Sequence, residues 1–366
     1  MSVSRRTTLS VLLAVVLLLG VAVPAGTAVA SHGTADGDCT FPLTVTDGTG
    51  TDVTVDEEPQ RIIALGGSAA QTAWEVGASE KVVGIDTFST NLEGASNVTV
   101  VSQGIGATDY EKALSQNPDL IVVAGNSYSQ DVVTEFRDSD VPVYQMPNAA
   151  SFADIEDNTA TLGHLLGACD AAAETNTWMQ ERIDVVESAV SGESAPSLFY
   201  DLGAAQDSAA HYSVSPGSFV GSVISTAGTA NIVANGNFSA YPVVSNEFIL
   251  EQNPEWLLVT YTPPSTASEA RAAVNESDVL SQTAAAQQGN VVAVNANHLN
   301  RPAPRVVHAL STLASTVHPQ AYAGANATAT PTDGGDGSGG VPGFGAGVAV
   351  AALLAVSLVL ARRADQ

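Results

Sequence analysis

Positive charge is scarce in this chain. Twelve lysines and arginines stand against 38 aspartates and glutamates in 366 residues, a formal net charge of −26, and the only lysines are Lys81 and Lys112. A surface so poor in cations cannot neutralise a phosphate backbone, which excludes nucleic acid as a partner. Cysteine is nearly absent too: Cys39 and Cys169 are the whole complement. In an oxidising compartment such a pair more often bridges than not, so a Cys39–Cys169 disulfide is expected, with two unrelated buried thiols as the alternative. Catalytic signatures are missing. There is no nucleophile elbow, no phosphate loop ending in Gly-Lys and no H-E-x-x-H, and Gly66-Gly67-Ser68 brings no base with it, so no enzyme and no cofactor are expected. His164, His211, His298, His308 and His318 are dispersed, with no H-x-H and no His-rich loop, which makes a metal-ion-binding protein the weaker alternative. What is plentiful is apolar residue, 45%, with the acids scattered among it. That is a folded body with an acidic skin. At molar salt the Debye length falls to about 3 Å, and the self-repulsion of that skin is screened.

The ends of the chain say where it works. Residues 1–30 read as a signal peptide: Arg5-Arg6, an apolar core from Leu9 to Val23, then Ala28-Val29-Ala30 as the small-residue cleavage site. No cysteine follows closely enough for an N-terminal lipid anchor. Residues 321–341 are rich in Thr, Gly and Asp, cannot bury enough surface to fold and are expected to be a disordered tether. Residues 342–366 hold Pro342-Gly343-Phe344, an apolar stretch from Gly345 to Ala361, and Arg362-Arg363. The stretch would span roughly 25 Å as a helix, enough for a thin crossing, and the trailing arginines leave the body outside. Sequons at Asn97, Asn237, Asn275 and Asn326 are glycosylation candidates in that setting.

A thirteen-residue phrase occurs twice. Glu111–Val123 reads E-x-x-L-x-Q-N-P-D and an apolar run; Glu247–Val259 reads almost the same, 136 positions later. Each is a short helix stopped by Asn-Pro and followed by a buried strand. Two copies at that distance predict two α/β lobes, residues 31–150 and 191–320, meeting across a cleft. Between them, the pattern predicts a helix over 151–167 capped by Ser151 and Asp154, and a longer one over 170–190 with Asp170 as N-cap. The second is long enough to run from lobe to lobe. Strands at 61–65, 82–85, 120–123, 141–144, 198–201, 256–259 and 291–294 alternate with helices, so each lobe should be a mainly parallel sheet flanked by helices. Leu43–Val45 and Val53–Val55 flank Asp-Gly-Thr-Gly as a hairpin. Trp74, Trp178 and Trp256 fall at core positions, and Pro302–His318 reads as a closing helix.

These segments also carry a resemblance. Arg61-Ile-Ile-Ala-Leu-Gly-Gly-Ser68, continued by Gly77-Ala-Ser-Glu-Lys-Val-Val-Gly-Ile85, resembles the opening of the cobalamin- and iron-siderophore-binding proteins of ABC importers. Asn117-Pro-Asp-Leu-Ile-Val122, Ala227-Gly-Thr-Ala-Asn-Ile232 and Arg301-Pro-Ala-Pro-Arg305 resemble later phrases of the same family, in order, from about Arg61 to Pro319. The resemblance implies two α/β lobes joined by one long helix, and an extracellular protein, monomeric, that hands a corrinoid to the permease of an ABC importer. A ferric siderophore or haem is the alternative cargo, and a cell-surface adhesion protein the alternative of another class. It places the two permease-docking carboxylates at Glu111 and Glu247. The C-terminal triple resembles the archaeal PGF-CTERM sorting signal, which implies an archaeosortase as a further partner, and the acidic, lysine-poor composition resembles proteins of salt-loving archaea. Ligand contacts are expected where strands end in loops facing the cleft: Phe88, Tyr128, Tyr212, Tyr241, Tyr261, His298 and Arg301. Arg305 is expected to turn into the closing helix.

Overall fold

The computed structural model describes residues 39–328, except 105–106, 126–129, 204–209 and 240. The leader, Tyr128, the later part of the tether and the sorting segment lie outside the described residues. Among those described, no helix is long and apolar enough to cross a membrane.

The chain opens with an antiparallel hairpin, β1 (Leu43–Thr46) and β2 (Asp52–Val55). Its turn residue Asp47 is buried and accepts from the backbone N–H groups of Thr49 and Thr51, while Arg137 pairs with the same carboxylate. The N-lobe then alternates β3 (Ile62–Leu65), α1 (Gly67–Glu75), β4 (Val82–Asp86), β5 (Thr99–Ser102), α2 (Tyr110–Leu114), β6 (Leu120–Val123), α3 (Gln130–Arg137) and β7 (Val143–Gln145). All five strands of its sheet are parallel, in the order β5-β4-β3-β6-β7. Alternation of side chains splits each strand between two cores. Ile62, Ala64, Leu120 and Val122 pack toward α1 and the hairpin, whereas Ile63, Leu65, Ile121 and Val123 pack against Val132, Val133 and Phe136 of α3. That is why these runs are apolar at every position.

Two antiparallel helices follow, α4 (Phe152–Leu166) and α5 (Cys169–Val190). Ser151 and Asp154 form the expected capping box, and Gly167 ends α4 in the left-handed conformation. Asp170 is not the N-cap of α5; that position is Ala168, and Asp170 lies in the first turn, where its charge still meets the positive end of the helix dipole. Residues 170–190 are helical throughout, and α5 reaches both cores, Ala172 in that of the N-lobe and Met179, Ile183 and Val186 in that of the C-lobe. It does not span alone. On α4, Ile155 sits in the C-lobe core and Leu162, Leu165 and Leu166 in the N-lobe core. The pair is tightly packed: a Cβ on Gly163 would fall 2.3 Å from that of Ala172.

The C-lobe comprises β8 (Ser197–Asp201), β9 (Ala210–Tyr212), α6 (Phe219–Thr226), β10 (Ala230–Asn231), β11 (Val243–Ser245), α7 (Asn246–Gln252), β12 (Trp256–Tyr261), α8 (Ala267–Glu276), α9 (Ala284–Gln288), β13 (Val291–Asn295), α10 (Ala296–Leu299), α11 (Val306–Val317) and α12 (Pro319–Thr328). Its parallel sheet runs β10-β8-β12-β13, beside a small antiparallel pair β11-β9. Here too side chains alternate, with Leu198, Tyr200, Leu258, Val292 and Val294 on one face and Phe199, Leu257, Val259, Val291 and Ala293 on the other. Residues 321–328, expected within the tether, continue α12 instead, and Tyr322 packs on the C-lobe core. The three tryptophans are only part-buried and rim the cores; Trp74 Nε1, for instance, donates to the Glu93 carbonyl at 2.7 Å. Cys39 and Cys169 are joined, with Cα atoms 5.7 Å apart, tying the start of the hairpin segment to the start of α5.

Candidate functional site

The repeat reproduces itself down to individual hydrogen bonds. Glu111 and Glu247 are each the second residue of a short helix, α2 and α7, and both are exposed. Asp109 and Ser245 cap those helices with their side chains. Asn117 (φ 50°) and Asn253 (φ 41°), at the same place in each copy, are the only non-glycine residues with positive φ among those described. Asn tolerates that conformation better than other side chains. Two residues on, a carboxylate grips the start of the neighbouring strand. Asp119 accepts from the backbone N–H of Gln60 and Arg61 at 2.8 and 2.9 Å, and Glu255 from that of Ser197 at 2.9 Å. Local folding thus delivers Glu111 and Glu247 to equivalent exposed positions on the two lobes.

The expected ligand residues separate into three groups. Tyr261, the last residue of β12, and His298 of α10 line an open cavity of about 550 Å³ together with Asn91 and Glu93 of the N-lobe and Asn295, Arg305, His308 and Thr312 of the C-lobe. Burial first, then His308, Arg305 and Arg301 nearby, push the His298 imidazole down to about 4, so its ring is neutral at neutral pH. Burial lowers His308 as well, helped by Arg182 and Arg305. The two rings lie 5.3 Å apart, and Trp178 of α5 meets His308 in a tilted contact at the same separation.

Tyr212 and Tyr241 form the second group. They are 43% and 61% exposed, and with Leu202 and Val243 they give the β9–β11 edge an apolar surface next to the end of β8. Phe88 presents a similar exposed ring, 46%, from the end of β4 in the other lobe. Scattered single exposed apolar residues need no explanation, whereas exposed rings at strand ends suit a flat ligand.

Arg301 stands apart. Its guanidinium crosses between lobes: Nη1 donates to Asn91 Oδ1 at 3.0 Å, and Nη2 to the Phe88 carbonyl and to Asn297 Oδ1. Gln71 Nε2 donates to the Asn297 carbonyl at 3.2 Å, and Arg305 pairs with Glu75. Gly67, Gln71 and Glu75 are one face of α1, and Arg301, Asn297 and Arg305 respectively meet them. Arg305 therefore faces the N-lobe and the cavity instead of turning into the closing helix. Sequence reasoning missed Asn91, Glu93, Asn295, Arg305 and His308, and only Asn295, at a strand end, carried a signal that could have found it. Of the sequons, Asn97, Asn237, Asn275 and Asn326 are all exposed.

Comparison with known proteins agrees with this architecture. The sequence pattern of the periplasmic binding proteins matches residues 62–297. A cobalamin-binding protein of Halobacterium salinarum is 39% identical over 98% of this chain and all of its own length. Among solved structures, the vitamin B12 binding protein BtuF of Vibrio cholerae superposes with a TM-score of 0.59 at 22% identity, covering 73% of this chain and 98% of its own. The haem-binding protein RhuT of Roseiflexus sp. RS-1 gives 0.63 at 19%, covering 72% and 99%. With half of its length and more matched by the family pattern, and a near full-length relative at 39%, this chain belongs to the periplasmic binding protein family.

Proposed function

We propose that this protein is the extracellular substrate-binding component of an ABC importer, capturing a corrinoid of the cobalamin type and delivering it to the permease. The observation that carries the reading is the lining of the cleft. Exposed rings at strand ends (Phe88 on one lobe, Tyr212 and Tyr241 on the other) and a cavity lined by hydrogen-bonding groups (Tyr261, Asn91, Asn295 and a neutral His298, with Glu93 and Arg305) suit a flat macrocycle rimmed with amides. An anionic ferric chelate calls for free cations, and the two arginines beside the cleft, Arg301 and Arg305, are both engaged with the opposite lobe. The near full-length Halobacterium relative, named for cobalamin binding, supports the same cargo. Glu111 and Glu247 serve as the two docking carboxylates, one per lobe, for a pseudo-symmetric permease dimer. The body works outside the membrane, held there by the C-terminal segment as a helix or, after archaeosortase processing, a lipid. No catalytic step belongs to this role. Titration of the full-length protein, in molar salt and mild detergent, with cyanocobalamin, haem and a ferric siderophore tests the proposal through quenching of its tryptophan fluorescence. Saturable quenching by cyanocobalamin at the lowest concentration is expected; tighter binding of haem or the ferric chelate would replace this cargo with that one.

A further inference from the structure

The sequence presents Arg301 as a cation awaiting a ligand, but its surroundings occupy it otherwise. From the C-lobe it lies over the first turn of α1, so closely that a Cβ on Gly67 would sit 2.7 Å from its Nε. Two of the three acceptors of its fork, the Phe88 carbonyl and Asn91 Oδ1, belong to the N-lobe loop 87–91, and the third, Asn297 Oδ1, belongs to its own lobe. Asp86 holds the same loop as well: Oδ1 accepts from Ser89 Oγ at 2.8 Å, and Oδ2 from the Gly66 N–H at 2.7 Å. The Phe88 ring itself rests on Gly104, where a Cβ would fall 3.2 Å from two ring carbons and where φ is +114°. The backbone of Phe88 is clamped, its ring is seated on one side, and the ring remains half exposed toward solvent.

We propose that Arg301 is a positioning residue that acts on the ligand through Phe88. It fixes loop 87–91 from across the lobe boundary, so that the ring is already in place when ligand arrives, and it offers no charge to the ligand. Preorganisation of this kind raises affinity by removing an ordering cost from the binding step. A planar guanidinium can satisfy acceptors on both lobes at once, whereas a lysine offers one ammonium on a different stem. This inference rests on the reading of the cleft as the ligand site.

The test is a double-mutant cycle of Arg301 with Phe88, supported by a measurement that needs no ligand. Arg301→Ala and Arg301→Lys should each weaken cyanocobalamin binding about tenfold, equivalent to the roughly 1.4 kcal/mol of re-ordering one backbone residue. The pair Arg301→Ala with Phe88→Ala should bind no more weakly than Phe88→Ala alone, because the arginine has nothing left to position. In the ligand-free protein, Arg301→Ala should speed hydrogen exchange at Leu92, whose N–H bonds the Ser89 carbonyl at 3.1 Å. Full rescue by lysine would make Arg301 a direct charge contact. Losses that add would make it only a tie between lobes. Either result overturns the proposal, as does unchanged exchange at Leu92. If the wild-type protein bound no corrinoid, the cargo would be wrong, and the exchange measurement would still decide the clamp. Should the alanine variant fail to fold, Arg301→Lys carries the same comparisons.

Discussion

Three cationic or potentially cationic groups, His308, Arg301 and Arg305, surround the imidazole of His298 in the cavity wall, with Glu93 and Tyr261 also lining the space. Burial and that company hold its folded pKa near 4, against an ordinary value of 6.5. Well above pH 6.5 neither folded nor unfolded chain protonates the ring, and His298 adds no pH dependence to stability. As pH falls from 6.5 toward 4, the unfolded chain takes up a proton that the folded protein refuses, so stability is lost across that window. The loss should be on the order of 2 kcal/mol after allowance for the open, wet side of the cavity. Carboxylates also titrate at the lower end, so the informative quantity is a difference. Urea midpoints of wild type and His298→Gln, compared from pH 7 to pH 4, should converge as pH falls; a constant gap would show that the imidazole is not held neutral by its site. A second residue-scale expectation concerns Asn253, at φ 41°. Asn253→Gly keeps the backbone conformation and loses only the bond that Asn253 Oδ1 accepts from the Ala284 N–H at 2.8 Å, a cost of about 1 kcal/mol, whereas Asn253→Val should cost about 1–2 kcal/mol more in the same assay, because a β-branched side chain clashes in the left-handed region.

At the scale of elements, the repeated phrase was legible in its apolar spacing, Asn-Pro stop and strand buried on both faces, because each of these is local, whereas its caps Asp109 and Ser245 emerged only with the fold. The βα alternation and the hairpin were legible for the same reason. The capping box of α4 was legible, as was its place with α5 in the linker over 151–190, but nothing in the helix's own sequence says that Ile155 and Leu165 enter different cores. The β9–β11 pair was missed because three-residue strands carry too short a period to read, and because Tyr212 finds Val243 far along the chain. Arg301 was read as a ligand contact since its partners Phe88 and Asn91 lie more than two hundred positions away, across a lobe boundary that local chemistry does not reveal. The disulfide joins elements in the same non-local way, spanning 130 positions. In the chain-entropy account, a loop of that length restricts the unfolded ensemble by about 4–5 kcal/mol. Replacing both cysteines by serine should therefore lower the unfolding free energy by an amount of that order, read as a lower urea midpoint with a steeper slope, because the unfolded chain without the cross-link exposes more surface. No shift, or two alkylatable thiols in the unreduced wild-type protein, would remove the bridge from the account.

For the molecule as a whole, the repeat and the helix pair set the geometry that transport would use. Glu111 and Glu247 stand at equivalent, exposed places on two lobes whose relation is fixed by α4, by α5 and by the α1 seam. Each carboxylate lies in the first turn of its helix, so an ordinary role is available: a favourable dipole interaction of about 0.3–1 kcal/mol at low ionic strength, and less in salt. Docking and helix support make different predictions under charge reversal. If the pair only supports its helices, Glu111→Arg with Glu247→Arg should lower stability slightly and leave uptake intact. If the pair meets arginines on the permease, reversal sets cation against cation in direct contact, at a cost of several kcal/mol that molar salt reduces but does not abolish, because the contact distance is comparable to the Debye length of about 3 Å. Neither side chain lines the cavity or belongs to the exposed aromatic groups, so ligand affinity should stay within about twofold of wild type, inside the roughly 0.5 kcal/mol expected of a remote surface change. The expected outcome is a double variant that binds cyanocobalamin normally in equilibrium titration but imports no labelled corrinoid in cells that display it at wild-type level. Wild-type uptake by that variant would return both residues to plain helix-start positions. Collapse of ligand affinity would instead place the ligand on the repeat helices, away from the cleft at the strand ends.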